Sequence, residues 1–235
     1  MSTTFISFNN KLYVCGNNIY GQLGLGDSNN INTLTFLMDS PEIKSISYND
    51  GHSMILKNNG ELLVFGRNIY GQLGLKHTEN IYIPTLLMTD PEIKSIHCGY
   101  YFSMILKNNG ELFVFGYNVR GYLGLGHTNI INEPTLLMQD PEIKYIHCGS
   151  FHSIILKNNG ELFVFGENPY GQLGFISGNT TAKPTLLIKN QEIKSIHCGS
   201  CHTMILMNNG ELFVFGLNYC GQLGLGHTNT INERS

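Results

Sequence analysis

A fixed repeat of 50 residues constrains this chain more than any other feature. A GQLGLG core begins at Gly21 and returns as GQLGLK from Gly71, GYLGLG from Gly121, GQLGFI from Gly171 and GQLGLG from Gly221. Residues 51–100 and 101–150 agree at 35 of 50 positions, the mark of duplication of one unit. A period of this length signals a solenoid, a propeller or an array, in which one supersecondary unit stacks on its own copies. Each GQLG core follows an apolar, β-rich stretch and reads as the connector between units.

Within a unit four segments read as strands. In the copy at 84–116 they are Pro84–Met88, Ile93–Gly99, Ser103–Lys107 and Glu111–Gly116. Proline stands at the start of the first segment, where a missing N–H does least harm. An Asp-Pro-Glu turn at 90–92 follows it. Asn108-Asn109-Gly110 joins the third and fourth segments, and Asn-Gly predicts a type I′ hairpin turn. The fourth segment is apolar without alternation, which requires cover on both faces of the sheet. No segment carries a helical period, and antiparallel hairpins exclude a parallel β-helix. The expectation is an all-β propeller. It has a half blade at 1–16, four full four-stranded blades at about 34–66, 84–116, 134–166 and 184–216, and a connector at 217–235.

The run G-x-N-x-x-GQLG-L-G, then P-T-L-L, then I-x-x-I-x-C-G-x-x-H-S-x-x-L-x-x-x-G-E-L-F-V-F-G resembles the regulator-of-chromosome-condensation repeat over nearly the whole chain. The resemblance implies a propeller, usually of seven blades. It also implies a structural role for the second histidine of a unit (His52, His152 and His202), tying its own blade together by hydrogen bonds. The N-terminal hairpin lacks the strands that would complete a blade, and residues 217–235 do not supply them. An incomplete or small ring is therefore expected, with self-association through open blade edges as one outcome.

Only 13% of residues are charged, against roughly 25% in an average globular protein, and the net charge is −3. That balance offers no electrostatic footprint for nucleic acid or an anionic membrane. MSTTFISFNN is not a secretory signal, and no apolar run approaches the roughly 20 residues of a spanning helix. The expected location is intracellular, cytoplasmic or nuclear, with the six cysteines reduced. Heavy use of Asn, Ile and Lys suggests an AT-rich genome.

Cys198-Gly199-Ser200-Cys201-His202 spells the haem-attachment pattern C-x-x-C-H, but Cys198 and His202 belong to the repeat and only Cys201 is new. His97, His147 and His197 precede repeat cysteines and recur by the same duplication. Glu42, Glu92, Glu142 and Glu192 read as solvated turn residues. No catalytic constellation, cofactor or metal site is expected. Specificity should lie where copies differ, and Tyr and Arg dominate protein–protein hot spots. The candidate protein-binding residues are Arg67, Tyr70, Tyr100, Tyr101, Tyr117, Arg120, Glu167 and Tyr170.

These readings favour a non-catalytic protein-interaction module that binds an unidentified protein through variable loops. The resemblance implies two alternatives: a guanine-nucleotide exchange factor for a Ran-type small GTPase, or a substrate-binding propeller associated with a ubiquitin ligase. The family's founding exchange factor uses a wedge inserted in one blade and a basic tail; units of constant length leave no room for the wedge, and no such tail precedes the repeats. Zero tryptophans exclude the ultraviolet photoreceptor of the same family. The dialysed chain should carry no stoichiometric zinc or iron by elemental analysis, and no haem absorbance after co-expression with attachment machinery. One tightly bound metal per chain would reverse the reading.

Overall fold

The computed structural model describes residues 3–49, 51–176, 178 and 180–233, which hold eighteen β-strands and no helix. That number equals the two segments of the half blade plus four in each of four units. The strands form five antiparallel sheets in chain order. The first contains β1 (Thr4–Phe8), β2 (Lys11–Gly16) and β3 (Ile31–Asp39). The second contains β4 (Ile43–Tyr48), β5 (His52–Lys57), β6 (Glu61–Gly66) and β7 (Ile81–Thr89). The third contains β8 (Ile93–Cys98), β9 (Phe102–Lys107), β10 (Glu111–Gly116) and β11 (Ile131–Gln139). The fourth contains β12 (Ile143–Cys148), β13 (His152–Lys157), β14 (Glu161–Gly166) and β15 (Thr181–Lys189). The fifth contains β16 (Ile193–Cys198), β17 (His202–Met207) and β18 (Leu212–Gly216), with Ile231 bridged to Gly216.

The sheets are cut one strand later than the units drawn from the sequence. The P-T-L-L segment closes the preceding sheet instead of opening the next: β7 pairs with β6, setting Val64 against Thr85 and Gly66 against Ile81. The result is three four-stranded sheets flanked by two three-stranded ones. GQLG accordingly joins strands of one sheet, and the short Asp-Pro-Glu turn crosses between sheets. Pro84, Pro134 and Pro184 are interior to nine-residue strands, not at their starts. They are tolerated there because each strand is the outer edge of its sheet and its register shifts beside the proline.

The hairpin turns also differ from expectation. Lys107 and Glu111 are joined by three residues, and of these only Gly110 has a positive φ, at 83°. This is a right-handed turn closed by a left-handed glycine, the usual three-residue hairpin. Asn9-Asn10, with φ values of 49° and 60°, forms the two-residue, doubly left-handed turn instead. Asparagine tolerates that region without glycine.

The chain divides into two compact units, residues 1–117 with 130–139, and residues 118–129 with 140–235. In the first, a core of Met54, Leu56, Leu62, Val64, Leu73, Ile93, Ile96, Ile105 and Phe115 joins the second and third sheets. Phe115 on one face of β10 and Leu112 and Val114 on the other are fully buried, which accounts for the unalternating apolar run. Phe113 shares the face of Phe115 but stays half-buried, with the Lys107 ammonium 4.7 Å from its ring centre. In the second unit, Ile154, Leu162, Val164, Ile196 and Phe215 belong to the corresponding core of the fourth and fifth sheets.

The first four GQLG loops each leave their own sheet to lie on the next one. The Lys76 N–H donates to the Asn132 carbonyl at 2.9 Å, and Gly26 does the same to Tyr82 at 2.8 Å. Gly74 lies flat on the Phe115 ring; a Cβ there would come within 3.0 Å of it. Gly24 repeats this on Phe65, and in the second unit Gly124 on Phe165. Buried histidines add a second tie. The Ser103 hydroxyl donates to the Gln72 carbonyl at 2.8 Å, so His52 must donate its Nε2 proton to the Ser103 oxygen, also at 2.8 Å. Ser103 lies on β9, so this histidine ties its sheet to the next and not, as the family resemblance implies, to itself. His152, Thr203 and Gln172 repeat the arrangement in the second unit. The third copy carries Phe102 at this position, a ring with no nitrogen to offer.

Gly71→Ala combines a φ of +75° with a Cβ 2.5 Å from the Asn132 Cα. It should cost roughly 1–3 kcal/mol in urea unfolding, and Gly26→Ala, whose nearest neighbour is 3.8 Å away, should cost less. Burial pushes His52 and His152 down to a pKa of about 3. Between pH 6.5 and 3 the unfolded chain binds protons that the folded histidines refuse, so stability should fall as pH falls. The loss is about 1.4 kcal/mol per pH unit for each histidine, with no contribution above that window. A His52→Phe variant, copying Phe102, should lose part of the difference in unfolding free energy measured between pH 7 and pH 5.

Candidate functional site

The asparagine of each G-x-N motif holds the GQLG loop in shape. Asn68 is fully buried; its Oδ1 accepts from the Leu73 N–H at 2.9 Å and its Nδ2 donates to the His77 carbonyl at 2.8 Å. Asn18, Asn118, Asn168 and Asn218 bond Leu23, Leu123, Leu173 and Leu223 in the same way, at 2.9–3.0 Å. Gln72 Oε1 then accepts from the Tyr70 N–H at 3.0 Å. Because buried amides carry the loop's shape, the side chains at 67 and 70 can vary without unmaking it.

The two variable positions are not independent. The later position of one copy faces the earlier position of the next. Tyr20 lies under Arg67, with the guanidinium carbon 4.5 Å from its ring centre, and Tyr70 packs on Tyr117 at 4.6 Å. In the second unit Arg120 Nε stands 3.7 Å from Glu167 Oε1. Tyr122, which replaces the loop glutamine, donates its hydroxyl to the same oxygen at 2.8 Å. Each facing pair is chemically matched: cation on ring, ring on ring, cation on carboxylate.

In the first unit these contacts build one cluster. Tyr20, Arg67, Tyr70, Tyr100, Tyr101 and Tyr117 are all half-buried and come from the loops of three successive sheets. Tyr101 centres the arrangement, with ring distances of 4.2 Å to Tyr100, 5.2 Å to Tyr70 and 5.9 Å to Tyr117. Its ring also lies 4.7 Å from the Arg67 guanidinium carbon. Five of the eight candidate residues therefore meet here. Arg120 and Glu167 pair with each other in the second unit, and Tyr170 packs there against Tyr219 at 6.1 Å. Tyr20 was absent from the candidates, although its repeat position, shared with Tyr70 and Tyr170, pointed to it. Asp50, in the variable loop before β5, lies outside the described residues.

Elsewhere several thiols and imidazoles are placed for packing. Cys98 donates its thiol to the Ser47 carbonyl at 3.3 Å, and burial pushes it up to about 12. Cys198 is likewise pushed up to about 12, and burial raises Cys201 as well, so C-x-x-C-H carries no activated thiolate. The His147 and His197 rings touch at 5.3 Å, and both burial and that neighbour lower the pKa of His147. Among the described residues, no three His, Cys, Asp or Glu side chains form a group that could hold a metal ion. No helix among them is long and apolar enough to cross a membrane. Glu42, Glu92, Glu142 and Glu192 are exposed, as their turn positions suggested.

Known structures share this architecture. Human WBSCR16 superposes with a TM-score of 0.82 at 23% identity, over 100% of this chain and 64% of that one. Yeast RCC1 (Prp20), solved bound to Kap60, gives 0.84 at 21% over 99% and 59%. Prp20p of Saccharomyces cerevisiae, described with its binding properties to Gsp1p and histones, gives 0.83 at 20% over 100% and 60%. The chain thus spans about three fifths of the length of these proteins, and at such identities the likeness establishes the fold. A comparison with curated protein sequences finds no match. The sequence profile of the RCC1-like domain matches residues 1–235, and the chain belongs to that family.

Proposed function

We propose that this protein is a non-catalytic interaction module that binds a protein partner through the loop cluster around Tyr101. The carrying observation is that residues differing between otherwise near-identical copies converge on one half-buried group of five tyrosines and an arginine. Tyrosine and arginine supply large, stiff contact area at modest entropic cost, the composition of interface anchors. Support for a protein partner also comes from the yeast relative, described as bound to Kap60 and as binding Gsp1p and histones. Support for the absence of catalysis comes from the copied background: the hydroxyls that stand beside imidazoles, Ser103 with His52 and Thr203 with His152, are fully buried and already donate to main-chain carbonyls. Units of constant length also provide no wedge.

Affinity purification from the native cell tests the reading with wild type beside a Tyr100→Ala/Tyr101→Ala variant whose melting temperature is checked in parallel. A partner retained by wild type and lost by a folded variant is expected. Capture of the same proteins by both would overturn it. In a fluorescent-GDP release assay the chain should leave a Ran-type GTPase at its intrinsic rate. Strong, dose-dependent acceleration would establish exchange activity instead.

A further inference from the structure

The state of the Arg67 guanidinium narrows what the partner must present. Three rings crowd it: the guanidinium carbon lies 4.5 Å from the centre of Tyr20, 4.7 Å from Tyr101 and 6.0 Å from Tyr70. Its donors are poorly served. Nε is buried with no acceptor, and the hydrogen bond recorded for the group is one from Nη1 to the Tyr101 hydroxyl at 3.4 Å, long for such a contact. Among the described residues no carboxylate pairs with Arg67, whereas Lys57, Lys107, Lys157 and Arg120 each have one. A guanidinium packed among three rings is held rigid, so little rotamer freedom is left to lose on binding.

We propose that the Arg67 cluster recognises a single carboxylate on an acidic segment of the partner protein. The inference rests on the protein-binding reading above and deepens it by naming the partner's chemistry. Arg67 is the one cation of the cluster, so a singly charged carboxylate balances it, whereas a phosphate dianion would bring a second, uncompensated charge. The fork matches a carboxylate through two parallel N–H···O bonds, the strongest neutral-pH pairing open to it. The tyrosine rings supply the surrounding apolar contact and exclude water from the pair. With a chain net charge of −3, long-range steering does not favour an acidic ligand. Selectivity must therefore come from this contact.

A phage-displayed random dodecapeptide library, panned against the wild-type chain, supplies the probe, and selected sequences are remade as labelled peptides for anisotropy titration. Enriched peptides should carry Asp or Glu, and replacing that residue by Asn or Gln should weaken binding about tenfold. Arg67→Gln should cause the same loss, with no further loss when the two changes are combined. Arg67→Lys, which keeps charge but not the fork, provides a milder variant should Arg67→Gln fail to fold, and it should still weaken binding several-fold. Lys189→Gln, at an exposed cation already paired with Glu161, should leave binding unchanged. An unenriched library, selected peptides without acidic residues, acidic peptides indifferent to Arg67, or tighter binding of a phosphoserine version would each overturn the inference. If partner capture in the purification above still depends on Tyr100 and Tyr101, the protein-binding reading survives that failure. If capture is indifferent to them, that reading falls as well.

Discussion

The seating of a GQLG glycine on the phenylalanine of the next sheet is the contact from which the rest of the structure follows. Phe65, Phe115, Phe165 and Phe215 are all completely buried, and each exists to be covered by the neighbouring copy. A glycine is required at Gly74 for two separate reasons. Its φ of +72° is costly for other residues, and a Cβ would stand only 3.0 Å from the Phe115 ring, closer than side chains ordinarily pack. One repeat cannot bury its own third strand, so the unit is stable only in an array. That dependence explains why the motif recurs with so little change.

Around this contact the structure separates what must stay constant from what can vary. Buried amides of Asn68 and Gln72 fix the loop, and the His52–Ser103–Gln72 relay ties sheet to sheet. Since these groups carry the geometry, positions such as 67 and 117 are released from scaffold duty. They have diverged as matched pairs and not as isolated surface residues. Near-identical copies carry a hazard of pairing with the wrong neighbour. Tyr20 with Arg67, Tyr70 with Tyr117 and Arg120 with Glu167 give successive junctions different chemistry, and an interchange would set Arg120 against Arg67. The same divergence leaves an arginine packed among rings with its Nε unpaired.

The histidine ties bring a second consequence. A neutral imidazole donating through Nε2 to a buried hydroxyl satisfies one nitrogen and leaves Nδ1 of both His52 and His152 without a partner. Protonation would place a charge in the interior, so burial depresses both pKa values, and for His152 the neighbouring His202 and His147 add to the effect. The unit that bears Phe102 at this position keeps the packing, since Gly99 lies against that ring as Gly149 lies against His152. Packing and hydrogen bonding at this site are thus separable, and the copies contain both versions.

Period, hairpins and two-face burial were legible in the residues because each is a local consequence of chain chemistry. A 50-residue repeat, strand-forming runs and Asn-Gly turns lead to antiparallel sheets whatever surrounds them, and eighteen segments became eighteen strands. Which strands share a sheet was decided by tertiary structure. The Ile81–Thr89 strand fits the sequence equally well as the last strand of one sheet or the first of the next. Only hydrogen bonding across the GQLG loop to β6 selects the former. The candidate residues were legible one by one as differences between copies. Their convergence was not, because Tyr20, Arg67 and Tyr101 are brought together by stacking of sheets and by no feature of their spacing. The unpaired Nε of Arg67 is likewise a fact of placement: sequence names a cation, and only packing shows which of its donors has been left over.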